Sequence, residues 1–194
     1  MVSSSEDSVQ QTMRERMLAG ALYTPFGDAE LSAMALRAQQ ILRDFNHSLP
    51  NETLKRRSLL QSLFKSIGSN CTIQPPFFCD YGVHITCGHD VFINFGCTIL
   101  DCNEVFIGDR VLFGPNVQIY PATHPTDPEP RKEGWEFALP IKIEDDVWVG
   151  GSAVVCPGVT IGKGSTIGAG SVVTKDIPAN VVAVGNPCRV IRRL

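Results

Sequence analysis

The residue best suited to acid-base chemistry in this 194-residue chain is His124. It lies between Thr123 and Pro125, in a segment whose prolines restrict the backbone. Histidine accepts a proton near neutral pH, and a hydroxyl group is a poor nucleophile until a base begins to remove its proton. His124 is therefore a candidate to take a proton from a hydroxyl group, and the alternative is a loop histidine without a catalytic role.

Two further polar residues, Asp80 and Asn94, fall at or beside the corners of a repeating pattern whose key positions are mostly aliphatic or small. An asparagine that pointed into an apolar core would need hydrogen-bond partners there. On the rim of a site, the same side chain could bind hydroxyl groups or the attacking oxygen. Both residues are therefore candidates for a substrate site.

The elements that would position these residues follow from a six-residue period in the last third of the chain. Such a period is neither helical nor a simple alternation. It predicts a left-handed parallel β-helix, in which three hexads complete a triangular coil and the aliphatic residues stack inward. The recurring aliphatic residues are Ile143, Val149, Val155, Ile161, Ile167 and Val173, and the residues four positions later are Val147, Ala153, Val159, Ser165, Ser171 and Ile177.

The same period appears earlier in three shorter runs, with register shifts of two residues that small corner insertions would explain. Residues 121–140 drop the pattern and predict a long loop that leaves the coil and carries function. Glycine often follows the first residue of a hexad, as at Gly162 and Gly168, where we expect it to supply turn angles that a side chain forbids. The earlier runs are Ile67, Ile73 and Cys79; Cys87, Ile93 and Ile99; and Ile107, Phe113 and Ile119.

The first third of the chain has helical periodicity. Apolar residues between 31 and 45 recur at intervals of three and four, and Asp28 can cap the helix that they predict. A second helix is predicted to begin at Asn51, as its cap, and to stop at Gly68.

The chain is thus predicted to have two parts. Residues 1–66 form a helical segment on the first coils, and residues 67–194 form the β-helix with its extruded loop and C-terminal tail. The helical segment either only caps an open end of the sheets or also shapes the substrate pocket.

The composition argues against several classes of partner. A net charge of −3 gives no basic face for nucleic acid or an anionic membrane, and no apolar stretch could span a bilayer. The first residues are polar and do not suggest a signal peptide, so we expect a cytoplasmic protein. Seven cysteines, several at inward hexad positions, predict reduced core thiols rather than disulfides; the inward ones are Cys71, Cys79, Cys87 and Cys97.

Several separate motifs, spread from about Met13 to the end of the chain, resemble those of the maltose and galactoside O-acetyltransferases, the sugar branch of the hexapeptide acyltransferases. The hexads alone are typical of the fold, whereas the Thr-His-Pro loop and the N-terminal tyrosine and Asn-His motifs are typical of this family. The matching segments are Met17–Tyr23, Phe45–Ser48, Cys79–Gly82, Asn94–Phe95, Ala122–Pro125, Val147–Gly150, Val173–Asp176 and Gly185–Pro187.

The resemblance implies an enzyme that transfers an acetyl group from acetyl-CoA to a hydroxyl group of a sugar. It makes His124 the general base and Asn94 a second catalytic residue, and it places Asp80, Asn94 and Asp101 in the acceptor site. The hydroxyl group would attack the thioester directly, without an acyl-enzyme. The resemblance also implies a homotrimer whose active sites lie between neighbouring subunits.

The same resemblance places acetyl-CoA on the C-terminal coils. The small residues would admit the pantetheine arm, and the cations would meet the phosphates. The implied donor-binding residues are Gly151, Ala169, Thr174, Lys175, Arg189 and Arg192. Each also has an ordinary explanation, because small residues are common in hexads and surface cations are usually only solvated. Trp148 would pack either across a subunit boundary or within the solenoid.

Two positions depart from the family pattern. Members often carry an acid soon after the Tyr23 motif, whereas here Pro25 comes first and Asp28 lies beyond it. Cys102 stands where some relatives have a second acid after Asp101. The acceptor is therefore open between a sugar, such as maltose, glucose or a galactoside, and another hydroxylated molecule, such as an oligosaccharide or an antibiotic.

Two further alternatives concern the class of protein. A non-catalytic scaffold is possible on this fold, but the intact His124, Asn94 and Lys175 argue against it. His84 and His89 could join His124 in a three-histidine zinc site, as in the gamma carbonic anhydrases. Their spacing does not match that family's order, so we predict no metal. His47, at a helix end, is expected to be structural or to line a pocket.

Overall fold

The computed structural model describes residues 11–194, whose strands wind into a parallel β-helix with three sheets as its faces. This confirms the fold predicted from the hexads. The first sheet contains β1 (Ser66–Ile67), β4 (Ile85–Cys87), β7 (Val105–Ile107), β12 (Ile141–Ile143) and β15 (Thr160–Ile161). The second contains β2 (Thr72–Ile73), β5 (Phe92–Ile93), β8 (Leu112–Phe113), β13 (Trp148–Val149), β16 (Thr166–Ile167), β18 (Val181–Val184) and β19 (Arg189–Arg193). The third contains β3 (Phe78–Cys79), β6 (Thr98–Ile99), β9 (Gln118–Ile119), β14 (Val154–Val155) and β17 (Val172–Val173).

The hexad residues form the core of the coil. Equivalent positions pair in register from one coil to the next, as Ile107 does with Ile143 and Ile143 with Ile161. The six aliphatic residues of the last third are fully buried, and so are the hydroxyl-bearing Ser165 and Ser171. The Ser165 hydroxyl donates to the carbonyl of Pro178 (2.7 Å), so its burial leaves no donor unpaired.

The glycines that follow the hexad aliphatics serve close approach between coils, not the turn angles predicted from the sequence. A Cβ atom at Gly162 would lie 2.5 Å from the amide nitrogen of Ala179, on the next coil. The left-handed backbone angles fall two residues later, at Gly164 and Gly170, both with φ of 69°. The expectation at Gly162 and Gly168 was therefore wrong in its physical reason, because neither has a positive φ.

Three helices precede the coil: α1 (Met13–Leu18), α2 (Ala29–Asn46) and α3 (Thr53–Leu63). The Asp28 carboxylate accepts from the amide of Leu31 (2.8 Å), which confirms the predicted cap of α2. The second predicted helix differs at both ends. Its N-cap is Glu52 rather than Asn51, and the helix stops at Leu63 because Ser66–Ile67 pairs with the next coil as β1.

Two asparagines tie the helices to the coil. Asn46, at the end of α2, exchanges two hydrogen bonds of 2.9 Å with the backbone of Phe77. The side chain of Asn103 donates to the carbonyl oxygens of Met17 (3.1 Å) and Ala138 (2.9 Å). These bonds hold the helical segment against the coil. The division at residues 66 and 67 into two parts stays a prediction.

The predicted loop leaves the coil after β9 and is an ordered hairpin. Its two strands, β10 (Ala122–Thr123) and β11 (Phe137–Ala138), pair antiparallel, and the short helix α4 (Pro128–Lys132) forms its tip. An isolated bridge between Tyr23 and Glu136 joins the hairpin to the N-terminal segment. The hairpin register therefore determines which loop side chains face the coil.

All seven cysteines are free thiols. Cys87 and Cys97 are buried, and Cys71 and Cys79 are half-buried against the core. Trp148 is 53% exposed on the outer face of the second sheet, beside Leu112, so it does not pack within the solenoid. In the part of the chain described, no helix is long and apolar enough to cross a membrane.

Candidate active site

Two edges of the β-helix carry the candidate residues. We call the corner that follows the strands of the second sheet the glycine edge, because Gly114, Gly150 and Gly168 occupy it. The corner that follows the strands of the third sheet is the histidine edge, because the hairpin with His124 leaves the coil there. Thr174, the counterpart of Gly168 on the histidine edge, lies six positions later in the chain. At about 3.3 Å per extended residue, the edges are on the order of 15–20 Å apart.

His124 lies at the end of β10, in a cleft of about 360 Å³ at the histidine edge. Its side chain is 56% exposed. The Nδ1 atom is 3.4 Å from the carbonyl oxygen of Trp135, which can only accept a hydrogen bond. This contact favours the tautomer with the proton on Nδ1 and leaves the Nε2 lone pair free. The imidazole is thus arranged to accept a proton.

Glu136 is a site residue that the sequence analysis missed. Its Oε2 atom lies 3.9 Å from Nε2 of His124, and its Oε1 atom accepts a hydrogen bond from the hydroxyl of Tyr23. Tyr23 is fully buried, and burial raises the pKa of its hydroxyl well above the usual range. Tyr23 therefore remains a donor to Glu136. The position of Glu136 in the predicted functional loop was the available signal, but the contact depends on the hairpin register.

Asp80 lines the same cleft as His124, which is consistent with its predicted place in the acceptor site. The Cys102 thiol donates to its Oδ2 atom (3.3 Å). Burial raises the pKa of the Asp80 carboxyl, the bond from Cys102 opposes this, and the nearby charge of Glu136 adds to it. Burial likewise raises the pKa of Cys102, so the residue is a neutral thiol. The cleft thus offers two carboxyl groups, on Asp80 and Glu136, to a hydroxylated molecule.

Asp101 is placed differently from the acceptor ligand that the sequence predicted. It has no exposed surface, and its carboxylate accepts from the backbone amides of Asp80 (3.1 Å), Tyr81 (2.8 Å) and His84 (3.2 Å). Burial raises its pKa to about 7, against the lowering effect of its amide hydrogen bonds. Asp101 therefore holds the turn that carries Asp80 and is not exposed to an acceptor.

The N-terminal segment forms one wall of the cleft. Pro25, Ala35 and Gln39 line it opposite the coil, so this segment does more than cap the open end. Asp28 does not supply the acid missing at Pro25, because its carboxylate caps α2 and the residue does not line the cleft.

Asn94 lies on the other edge. It follows β5 at the glycine edge, and its backbone amide donates to Phe113 on the next coil (3.1 Å). Its side-chain oxygen accepts from the amide of Phe95 (2.9 Å). The side-chain nitrogen makes no hydrogen bond with any residue from 11 to 194, so two N–H donors are available. Asn94 is not part of the cleft that contains His124 in the same chain.

The predicted donor-binding residues are divided between the edges. Gly151 and Ala169 stack on the glycine edge, where the amide of Gly170 donates to the carbonyl of Gly151 (2.9 Å). Arg189 begins β19 at the same edge, because it pairs with Val184. Thr174 and Lys175 are exposed on the histidine edge, and Arg192 is exposed on β19.

The predicted donor-binding residues leave both space and charge available. Ala169 is exposed, and a Cβ atom added at Gly170 would meet nothing within 4 Å. Lys175, Arg189 and Arg192 form no ion pair with residues 11–194. An open glycine edge with the unpaired Arg189 at the same edge fits a long, thin molecule that carries phosphates.

The other histidines lie apart from His124. His84 is buried, and its Nδ1 atom donates to the backbone oxygen of Asp101 (2.7 Å). His89 contacts Ser69 (2.8 Å) at the corner between the first and second sheets. His47 caps the end of α2 through Arg43 (2.8 Å). Between residues 11 and 194, no three His, Cys, Asp or Glu side chains are grouped as metal ligands would be.

Comparisons with known proteins agree with this architecture. Residues 16–68 match the maltose acetyltransferase hexapeptide capping motif, and residues 140–175 match the six-repeat bacterial transferase hexapeptide. The chain is 47% identical to galactoside O-acetyltransferase of Escherichia coli over 182 residues, which are 94% of this chain and 89% of that protein.

Two solved structures superimpose closely. The crystal structure of a maltose O-acetyltransferase from Clostridium difficile has a TM-score of 0.93 and 46% identity, and the match covers 95% of this chain and 98% of that one. A galactoside acetyltransferase in complex with coenzyme A has a TM-score of 0.92 and 46% identity, with 95% and 92% covered. The fold and cleft define a hexapeptide-repeat transferase, and the chain belongs to the maltose and galactoside O-acetyltransferase family.

Proposed function

We propose that this protein transfers an acetyl group from acetyl-CoA to a sugar hydroxyl, with His124 as the general base. The observation that carries the proposal is the cleft at the histidine edge. There, an imidazole whose Nε2 is free faces a space lined by the carboxyl groups of Asp80 and Glu136. Its volume of about 360 Å³ falls within the ~300–1,000 Å³ range of small-molecule sites.

The reaction is a direct transfer. The acceptor hydroxyl gives its proton to Nε2 of His124 while its oxygen forms a bond to the thioester carbonyl carbon. The carbon–sulfur bond then breaks, and the leaving thiolate takes the proton from His124. Asp80 binds acceptor hydroxyl groups. Asp101 acts through Asp80, because its carboxylate holds the turn that carries Asp80. The free side-chain N–H donors of Asn94 stabilise the negative charge that develops on the carbonyl oxygen.

The donor site uses the residues predicted for it. Gly151 and Ala169 keep the glycine edge open for the pantetheine arm, and the histidine edge of the neighbouring subunit brings Thr174 to the arm and Lys175 near the phosphates. Arg189 and Arg192 meet the phosphates, because a guanidinium group binds phosphate oxygens in a bidentate manner.

The working unit is a homotrimer. Asn94 and His124 must contact the same reacting group, yet one chain places them on edges on the order of 15–20 Å apart. A three-fold assembly brings the glycine edge of one subunit against the histidine edge of the next and closes the ring. The exposed Trp148 and Leu112 supply an apolar outer face on the second sheet for such contact. The cytoplasmic location predicted from the sequence stays a prediction.

Thiol release from acetyl-CoA tests the activity. The purified protein is assayed with maltose, glucose, a galactoside, an oligosaccharide and a hydroxylated antibiotic, and products are identified by mass spectrometry. We expect acceptor-dependent thiol release and an acetyl ester with at least one sugar. The His124→Ala protein is the matched control. If thiol release by the wild-type protein does not exceed that of the His124→Ala protein with any acceptor, the proposed function is refuted. A preference for the antibiotic over the sugars would reassign the acceptor.

A further inference from the structure

Glu136 is held in one place by groups that an acceptor does not touch. Its backbone exchanges two hydrogen bonds of 2.9 Å with Tyr23, whose hydroxyl also binds Oε1. The Glu136 side chain is 15% exposed, against 56% for that of His124. The carboxylate is therefore fixed by the protein while its Oε2 atom remains free on the side of the imidazole.

The contact between Glu136 and His124 depends on a proton. When Nδ1 carries the imidazole proton, Nε2 and Oε2 face each other at 3.9 Å as two acceptors, with no hydrogen between them. When Nε2 takes a proton, the same pair becomes a cation beside a carboxylate. The attraction exists only after the proton has moved, so it favours the transition state over the ground state.

The surroundings make Glu136 the main partner of the protonated ring. It is the only carboxylate within 4.0 Å of a His124 ring nitrogen among residues 11–194. Asp80, Tyr81 and Cys102 also line or border the cleft, and burial raises the pKa of each, which disfavours their charged forms.

Arg16, Glu133 and Arg131 also lie near the hairpin, and none of them forms an ion pair or a hydrogen bond with His124. The Arg16 guanidinium sits 5.8 Å from the centre of the Trp135 ring, and Glu133 binds the indole nitrogen (3.0 Å). Within the hairpin, Arg131 donates to the carbonyls of Pro125 (3.0 Å) and Thr126 (3.2 Å).

We infer that Glu136 is a positioning residue that stabilises the protonated form of His124 during acetyl transfer, with Tyr23 fixing Glu136. The inference rests on the proposed function of the same cleft. Glu136 gives and takes no proton itself. The acceptor's proton moves to Nε2 and then to the departing thiolate, and the carboxylate remains charged throughout.

The test compares Glu136→Gln with Glu129→Gln. Glu129 is an acid of the same hairpin that pairs with Lys132 (2.6 Å) and does not face His124, so it is a matched control. The first measurement is the pH titration of the His124 ring signals by NMR in the free protein, assigned with His124→Ala. We expect Glu136→Gln to move the midpoint to lower pH by about half a unit or more, and Glu129→Gln to leave it unchanged. A midpoint that does not move in Glu136→Gln would overturn the inference, whether or not acetyl transfer is observed.

Kinetics then separate stabilisation of the ring from binding of the acceptor. Glu136→Gln should lower kcat on the order of 10-fold with the acceptor KM nearly unchanged. Tyr23→Phe, which removes only a buried hydroxyl, should lower kcat by less. A raised acceptor KM with kcat preserved would contradict the inference and make Glu136 an acceptor ligand. If the wild-type protein transfers no acetyl group, the proposed function fails while the NMR midpoint still decides whether the pair exists.

Discussion

Asn94 and His124 lie on different edges of the same β-helix, separated by the face of the third sheet. Asn94 shares its edge with Gly151 and Ala169, whereas His124 shares its edge with Asp80 and Lys175. No single chain brings both sets around one reacting group. The proposed function assigns both residues to one reacting group, and it therefore requires a second subunit.

Replacing His124 by alanine should lower kcat by about 10²- to 10⁴-fold, because the change removes proton abstraction. The KM for acetyl-CoA should change little, since the imidazole makes no donor contact in the proposed site. Steady-state kinetics give both constants. His47→Ala is the control, because His47 is exposed at the end of α2. A His124→Ala protein that retains more than about a tenth of wild-type turnover, with chemistry rate-limiting, would remove His124 from the base role.

Lys175→Ala should act on the donor instead. The loss of an unpaired cation near the phosphates should raise the KM for acetyl-CoA by about 10-fold and leave kcat within a factor of about two. The effect should shrink as salt is added, because salt screens exposed charges. Lys142→Ala is the matched control, since Lys142 pairs with Glu144 (2.9 Å) on the first sheet. A fall in kcat at unchanged KM would place Lys175 in the chemistry rather than in donor binding.

Asp101 should make stability depend on pH. Burial raises its folded-state pKa from 3.8 to about 7, so the folded protein binds this proton more tightly than the unfolded chain does. Its contribution to the free energy of unfolding is therefore largest at low pH, falls as pH rises through about 4 to 7, and is constant above that. The total change is up to about 4 kcal/mol.

Urea denaturation at several pH values measures this contribution. The Asp101→Asn protein is the reference, because its side chain at position 101 has no titratable group. The difference in free energy between wild type and Asp101→Asn should shift against the wild type as pH rises through this window. A difference that is constant with pH would show that the three amide hydrogen bonds offset burial, and a shift toward the wild type as pH rises would show that they outweigh it. Acceptor KM should rise in Asp101→Asn, because Asp101 holds the turn with Asp80.

The hexads predicted the fold because burial in a β-helix repeats with the coil. Each inward position, such as Ile143 or Val173, carries its own signal without knowledge of its neighbours. The cap at Asp28 was equally local, since it needs only the amide of Leu31 three residues later. The resemblance to the sugar acetyltransferases is confirmed by the comparisons, whereas the roles of the individual site residues stay predictions.

Other features depended on contacts that sequence spacing does not encode. The pairing of Glu136 with Tyr23 joins residues 113 positions apart and requires the hairpin register. The burial of Asp101 requires the turn from Asp80 to His84 to fold over it. A carboxylate at a corner can bind a substrate or accept hydrogen bonds from nearby backbone amides. The sequence does not distinguish these two roles, because they differ only in how the turn folds.

The Asn94→Ala protein should be nearly inactive, because the change removes the side-chain N–H groups proposed to stabilise the developing oxyanion. We expect kcat to fall by about 10²- to 10³-fold. Gln74→Ala changes the equivalent corner position on the first coil and is the control. If Asn94→Ala keeps most of its turnover, the oxyanion role is refuted.

The most direct test of the shared site mixes His124→Ala subunits with Asn94→Ala subunits. Each mutant subunit carries the catalytic residue that the other mutant lacks: Asn94 is intact in the first and His124 in the second. In random one-to-one trimers, about three quarters are mixed, and each mixed trimer has one intact site of three, so activity should return to about a quarter of the wild-type value. The mixture is prepared by co-expression with two different tags, and thiol release is measured on trimers that carry both tags; all of these are mixed, so their expected activity is about a third of the wild-type value. Recovery to about this level is the predicted result. Activity no greater than that of the separate mutants, in trimers shown to contain both subunits, would contradict the claim that His124 and Asn94 act together across a subunit boundary.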